Sequence, residues 1–138
     1  MRRVLLILSL LSLVSGLGYG QSAPYRVVFD LTSRESLDQK AVIRWVSEIS
    51  AAYPRAELEI VMFGNGLELV MPERSTVIED VRNVIRRPNV SFKVCRVAMK
   101  NNNVTESQLT NGVQIVPDAI FEIISKQHEG WGYIKVAH

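Results

Sequence analysis

The chain has 138 residues, with 16 Lys+Arg against 14 Asp+Glu and a single cysteine. One cysteine excludes an internal disulfide, and a domain of this length can build a core without such staples. Two of the cations, Arg2 and Arg3, belong to the opening segment, so the remainder balances at 14 against 14 and offers no basic excess for nucleic acid or a membrane surface.

Arg2 and Arg3 precede an apolar run from Val4 to Val14 and small residues at Ser15, Gly16, Gly18 and Gly20, the layout of a secretory signal peptide. Ser9, Ser12 and Ser15 interrupt the run, which falls short of the roughly 20 apolar residues that a membrane-spanning helix needs. Cleavage is expected after Gly20, with Ala23 as the alternative. The expectation is a signal peptide over 1–20 and a single domain over 21–138, periplasmic or secreted, with no membrane anchor once the leader is cut.

Tyr25 to Leu31 is β-branched and aromatic and reads as a strand, with Asp30 near its carboxyl end. Ser36 to Tyr53 carries Leu37, Ala41, Val42, Trp45, Ile49 and Ala52 at helical spacing and stops at Pro54. Glu57 to Phe63 is the next strand, ending in the Gly64-Asn65-Gly66 turn, and a short helix follows over Leu67 to Met71. Thr76 with Glu79 fits a capping box for a helix through Val77, Val81, Val84 and Ile85, closed by Arg86-Arg87-Pro88. Val90 to Cys95 is the third strand. A polar segment follows, with a second capping-box pattern at Thr105 and Gln108. Val113 to Val116 is the fourth strand, Pro117 and Asp118 open a helix through Gln127, Gly130 ends it, and Trp131 to Val136 is the last strand.

Alternating strands and helices favour a mainly parallel sheet covered on both faces, whose ligands sit outside the carboxyl ends of the strands. That rim gathers Asp30, the Gly64-Asn65-Gly66 turn, Cys95 and Pro117.

The strand VVFDLT (Val27 to Thr32), FGNGLEL (Phe63 to Leu69), a cysteine closing the third strand, NGVQIVPDAIFEI (Asn111 to Ile123) and KQHEGWGYIK (Lys126 to Lys135) occur in this order. Together they resemble the DsrE/DsrF-like (YchN-type) family of sulfur-relay proteins. The resemblance implies a three-layer α/β/α sandwich with a parallel sheet of about five strands, assembly as a homo-oligomer, and sulfane sulfur carried as a persulfide at the position of Cys95. A sulfur donor or acceptor protein is the implied partner. Where many relatives have a Thr-Met pair after the cysteine, this chain has Arg96-Val97-Ala98-Met99.

Two readings of Cys95 stay open. It is a buried small hydrophobe on an apolar strand, or a reactive thiol. For the second, the stretch from Asn83 to Thr105 contains Arg86, Arg87, Lys93, Arg96 and Lys100 without an acid, and nearby cations favour thiolate. Lys93, two residues back, shares the strand face of Cys95. Arg96 follows directly. Asp30 is a candidate for orienting a donor or for a turn. Gly64, Asn65 and Gly66 either offer backbone N–H groups to an anion or form a tight turn. His128 beside Glu129 reads as acid–base work or as a helix-end cation. The histidines and cysteine lack metal-site spacing, and no phosphate loop, serine elbow or carboxylate pair appears, so no cofactor is expected.

The function expected is an exported sulfur carrier, sulfurtransferase-like, with the persulfide on Cys95. The alternative is a non-enzymatic homo-oligomeric module binding a small ligand or a protein, with Cys95 structural.

Overall fold

Five short runs rich in β-branched residues pair into one parallel sheet in the order β4-β3-β2-β1-β5. They are β1 (Arg26–Leu31), β2 (Glu57–Met62), β3 (Val90–Cys95), β4 (Gln114–Val116) and β5 (Gly132–Lys135). The computed structural model describes residues 23–137. The leader expected over residues 1–20, its cut after Gly20 and the terminal His138 lie outside the described residues.

Among the described residues four α-helices connect the strands: α1 (Ser36–Ala52), α2 (Ile78–Val84), α3 (Arg96–Asn101) and α4 (Ala119–His128). Register fixes which helix covers which face. Val28, Glu59 and Ser91 are mutual partners across β1, β2 and β3, and therefore point the same way. Lys126 on α4 reaches Glu59, so α4 lies on that side. Phe29, one residue on, points oppositely and stacks with Trp45 of α1 at 6.3 Å, and α1 packs against α2. This is the three-layer α/β/α sandwich, with the sheet entirely parallel.

The layering follows from crossover handedness. From β1 to β2 to β3 the chain steps one way across the sheet, whereas from β4 to β5 it returns past three strands. Right-handed crossovers then place α1 and α2 on one face and α4 on the other. The connections thus diverge at the carboxyl ends of β3 and β4, where sites form in open sheets. Fully buried Phe29, Leu31, Leu58, Ile60, Met62 and Phe92 fill the core, each contributing about 1.5–3 kcal/mol of burial.

The expected segments recur with ends shifted by one or two residues, and three local readings change. Gly64-Asn65-Gly66 opens a 3₁₀ helix over Gly64–Val70, earlier than the short helix expected from Leu67. Thr76 does not cap α2; its backbone N–H and hydroxyl both donate to Gln39 Oε1 of α1, each at 2.9 Å. The polar stretch after Cys95 forms α3, a single short helix whose exposed Arg96, Val97 and Lys100 leave little apolar period to read. The Thr105–Gln108 capping box does form, around a 3₁₀ turn.

Candidate functional site

Cys95 ends β3 and precedes α3, and its thiol meets the first turn of α4. The Ala119 N–H donates to Cys95 Sγ at 3.4 Å. Sequence neighbours do not arrange this contact. β3 and β4 run in register as far as Cys95 and Val116, so the helix that starts just beyond Val116 begins beside the sulfur. Asp118 fixes that start as the N-cap: its Oδ1 accepts from the N–H groups of Ile120 (2.8 Å) and Phe121 (3.2 Å). The N-terminal end of α4 therefore faces the sulfur.

The side chain of Cys95 is 5 % exposed, and it lines a cavity of about 460 Å³. Phe63, Val97, Ala98 and Ile120 give apolar walls, while Asn65, Asn101 and Asn102 supply amides. Among the described residues no lysine or arginine lines it, and the charged lining side chain is Asp118.

The cations expected around the thiol have other partners. Lys93 shares the α4 face with Cys95, but its Nζ lies 3.9 Å from both Glu59 Oε2 and Glu122 Oε1. Arg96 pairs with Glu106 at 3.3 Å in solvent. Arg86 donates to Asn83 Oδ1, and Arg87 reaches back to Ser47 O and Ser50 Oγ of α1. The stretch without acids in sequence acquires acids in space.

Gly64 and Asn65 line the cavity beside Cys95, whereas Gly66 does not. Two of the turn's N–H groups are already used: Asn65 donates to Thr32 O at 3.1 Å and Gly66 to Phe63 O at 3.0 Å. Gly66 is needed for a close approach, because a Cβ there would fall 2.1 Å from Leu31 O. Gly64 adopts φ +57°, a conformation glycine tolerates freely.

Asp30 supports the cavity from behind. Buried at the end of β1, it accepts from Tyr133 Oη at 2.6 Å and Lys135 Nζ at 3.0 Å. Lys135 also donates to Thr32 Oγ1 at 2.8 Å and lies over the Phe63 ring at 5.7 Å, and both Thr32 and Phe63 are cavity walls. The Asp30 carboxylate pushes the Tyr133 hydroxyl up to about 12 by favouring its protonated form, with burial adding to the effect. His128 is the exposed last residue of α4.

Asn102 was hidden in the polar run. Its Nδ2 donates to Gly64 O at 3.2 Å and Ala98 O at 2.9 Å, tying the end of α3 to the glycine turn. Asp118 was legible only as a helix start; its position at the cavity depends on the β3–β4 register.

Beneath α4 lies a buried charged cluster. Glu59 is 2 % exposed; its Oε2 accepts from Ser91 Oγ at 3.2 Å and stands 3.9 Å from Lys93 and from Lys126, while Oε1 is buried without a hydrogen-bond partner. Burial first, and the neighbouring Glu122 carboxyl second, raise Glu59 to about 7 against the opposing pull of Lys93 and Lys126.

No protein-family model and no curated protein matches the chain. Solved structures do. A protein of unknown function, MTH1491 from Methanobacterium thermoautotrophicum, is 25% identical, with a TM-score of 0.75 over 80% of this chain and 98% of that one. A conserved protein of unknown function, BT1422 from Bacteroides thetaiotaomicron, is 14% identical, with a TM-score of 0.70 over 84% and 98%. The ychN protein of E. coli is 13% identical, with a TM-score of 0.66 over 81% and 98%. The chain has a DsrE/YchN-like fold.

Proposed function

We propose that this protein is an exported sulfur carrier that holds sulfane sulfur as a persulfide on Cys95. The observation that carries the reading is the Cys95 thiol set against the N-terminus of α4 and opening on a cavity at the carboxyl rim of the sheet. Its DsrE/YchN-like fold supports the same reading. In the step envisaged, the Cys95 thiolate attacks the sulfane sulfur of a donor persulfide, R–S–SH. The new bond is Cys95 S–S, the donor's S–S bond breaks, and R–S⁻ leaves as the thiol after taking up a proton. Sulfur moves at the zero-valent level, so no external oxidant is required. Transfer onward repeats the exchange with an acceptor thiol.

The helix end supplies what the expected cations do not. An anionic persulfide at Cys95 would meet the Ala119 N–H and the side-chain amide of Asn65. Lys93, Arg96, Asp30 and Gly66 then act as supports of the surrounding framework, with Gly64 and Asn65 at the cavity itself. Treatment of the folded protein with polysulfide, followed by intact-mass analysis, tests the proposal. A sulfur adduct absent from Cys95→Ser is expected. An unmodified protein whose thiol reacts only after denaturation would instead favour a binding module with a structural cysteine.

Homo-oligomeric assembly belongs to the same proposal. Ile120, Phe121 and Ile124 expose apolar surface on α4, with Phe121 at 70 % exposure. A cluster of this kind on one helix suits a subunit contact.

A further inference from the structure

The cavity beside Cys95 is larger than a transferred sulfur atom needs. Its volume of about 460 Å³ lies within the range of about 300–1,000 Å³ that small organic ligands occupy. Phe63, Val97 and Ile120 give it carbon walls, so the part of a donor that stays behind when sulfur leaves has apolar surface to rest on. An inorganic sulfur anion would leave those walls wet, and would meet no lysine or arginine among the described lining residues.

The charge that the lining does carry is negative. Asp118 Oδ1 takes both cap bonds, from Ile120 and Phe121, and Oδ2 has no protein donor among the described residues. Asp118 is exposed, and the next residue, Ala119, touches the sulfur, so the carboxylate stands on the solvent side of the lining close to the reacting atom. The cations that could cancel it are paired or outside the lining. Lys93 faces Glu59 and Glu122, Arg96 faces Glu106, Lys135 faces Asp30, and Lys100 on α3 does not line the cavity.

We propose that Asp118 is a specificity-determining residue, giving the cavity a preference for sulfur donors whose organic part carries an ammonium group over donors that are anions, such as thiosulfate. The proposal rests on the sulfur-carrier reading for its purpose. The preferred donor is then an aminoalkyl persulfide, R–S–SH, with its chain along Phe63, Val97 and Ile120 and its ammonium beside Asp118 Oδ2. The Cys95 thiolate attacks the outer sulfur, a Cys95 S–S bond forms as the donor's S–S bond breaks, and R–S⁻ departs as the thiol after taking a proton from solvent. Anionic donors, inorganic polysulfide among them, react at the same sulfur but more slowly.

The test uses methanethiosulfonates on the full folded chain, because they read charge preference without sulfane transfer. The Cys95 thiolate attacks their divalent sulfur, forming a disulfide and releasing methanesulfinate. Rates are measured with a trimethylammonioethyl reagent and a sulfonatoethyl reagent, each relative to the neutral methyl reagent, and adducts are confirmed by intact mass. The wild type is expected to favour the cationic reagent over the anionic one about fivefold more than free mercaptoethanol does, the effect of one unit charge a few ångströms away in water. Asp118→Asn, which retains the helix cap, should bring the preference down to that of the free thiol. Glu48→Gln, which removes the same charge from α1 on the other face of the sheet, should leave the preference in place. Where Asp118→Asn does not fold, salt replaces it: at an ionic strength of about 1 M, where charges are screened within about 3 Å, the wild-type preference should collapse. A preference that survives in Asp118→Asn, that is lost equally in Glu48→Gln, or that is indifferent to salt overturns the proposal. A preference that depends on Asp118 in a protein that takes up no sulfur from polysulfide would uphold the charge selection and remove the carrier reading. A thiol that reacts with none of the reagents before denaturation overturns both.

Discussion

Ala119 donates its backbone N–H to Cys95 Sγ across 24 residues of chain, at 3.4 Å. The contact joins the end of one strand to the start of the helix after the next strand, so it depends on the α4 start being held in place.

Asp118 holds that start. Asp118→Ala should cost about 1 kcal/mol through loss of the N-cap and should speed alkylation of Cys95, whereas Asp118→Asn keeps the cap and should stay near the wild type. Urea denaturation and thiol-reaction rates, measured on both variants, check the pair. Equal stability of Asp118→Ala and wild type would show that the cap does not control the helix end.

The pH dependence of stability has a definite sign. Glu59 is raised from 4.5 to about 7, so the native state binds the proton more tightly than the unfolded chain. Its stabilising contribution is fully present below about 4.5 and is lost as pH rises through about 7, amounting to on the order of 3 kcal/mol. Chemical denaturation across this window should show the wild type losing stability where Glu59→Gln does not. Parallel curves for the two proteins would contradict the assignment.

The two glycines of the turn should respond unequally. Gly66→Ala places a Cβ against Leu31 O and should cost on the order of 3 kcal/mol. At Gly64 the difficulty is the positive φ, with the nearest atom, Thr32 O, at 3.4 Å, and Gly64→Ala should cost about 1–2 kcal/mol. Thermal melting of both variants gives the order directly; a more stable Gly66→Ala than Gly64→Ala would reverse it.

The homo-oligomer should show as a mass above that of the monomer in light scattering under reducing conditions. Phe121→Asp should dissociate it with little loss of secondary structure, because Phe121 contributes to surface and not to the core of the single chain. A strictly monomeric wild type at micromolar concentration would remove the assembly proposal.

Export should leave a chain that begins near Gln21, recovered outside the cytoplasm. Fractionation with N-terminal mass analysis checks this, and an uncleaved chain in the cytosol is the contrary result.

By itself the sequence determined the alternation of strands and helices, because apolar periodicity and the proline and glycine punctuation are local properties. VVFDL, ELEIVM and VSFKVC are strands where their patterns place them, and Asp118 opens α4 as its position after Pro117 implies. The resemblance extended that reading to the sandwich. Tertiary structure decided everything that depends on which strands become neighbours. Placing β3 beside β4 brought the α4 start to Cys95, and placing β2 beside β3 gave Lys93 the carboxylate of Glu59. A cation in a stretch of chain without acids looks free to serve a thiol. A charge under a helix must find a counter-charge to offset its desolvation, and that partner lay 34 residues away in sequence at Glu59 and 29 away at Glu122.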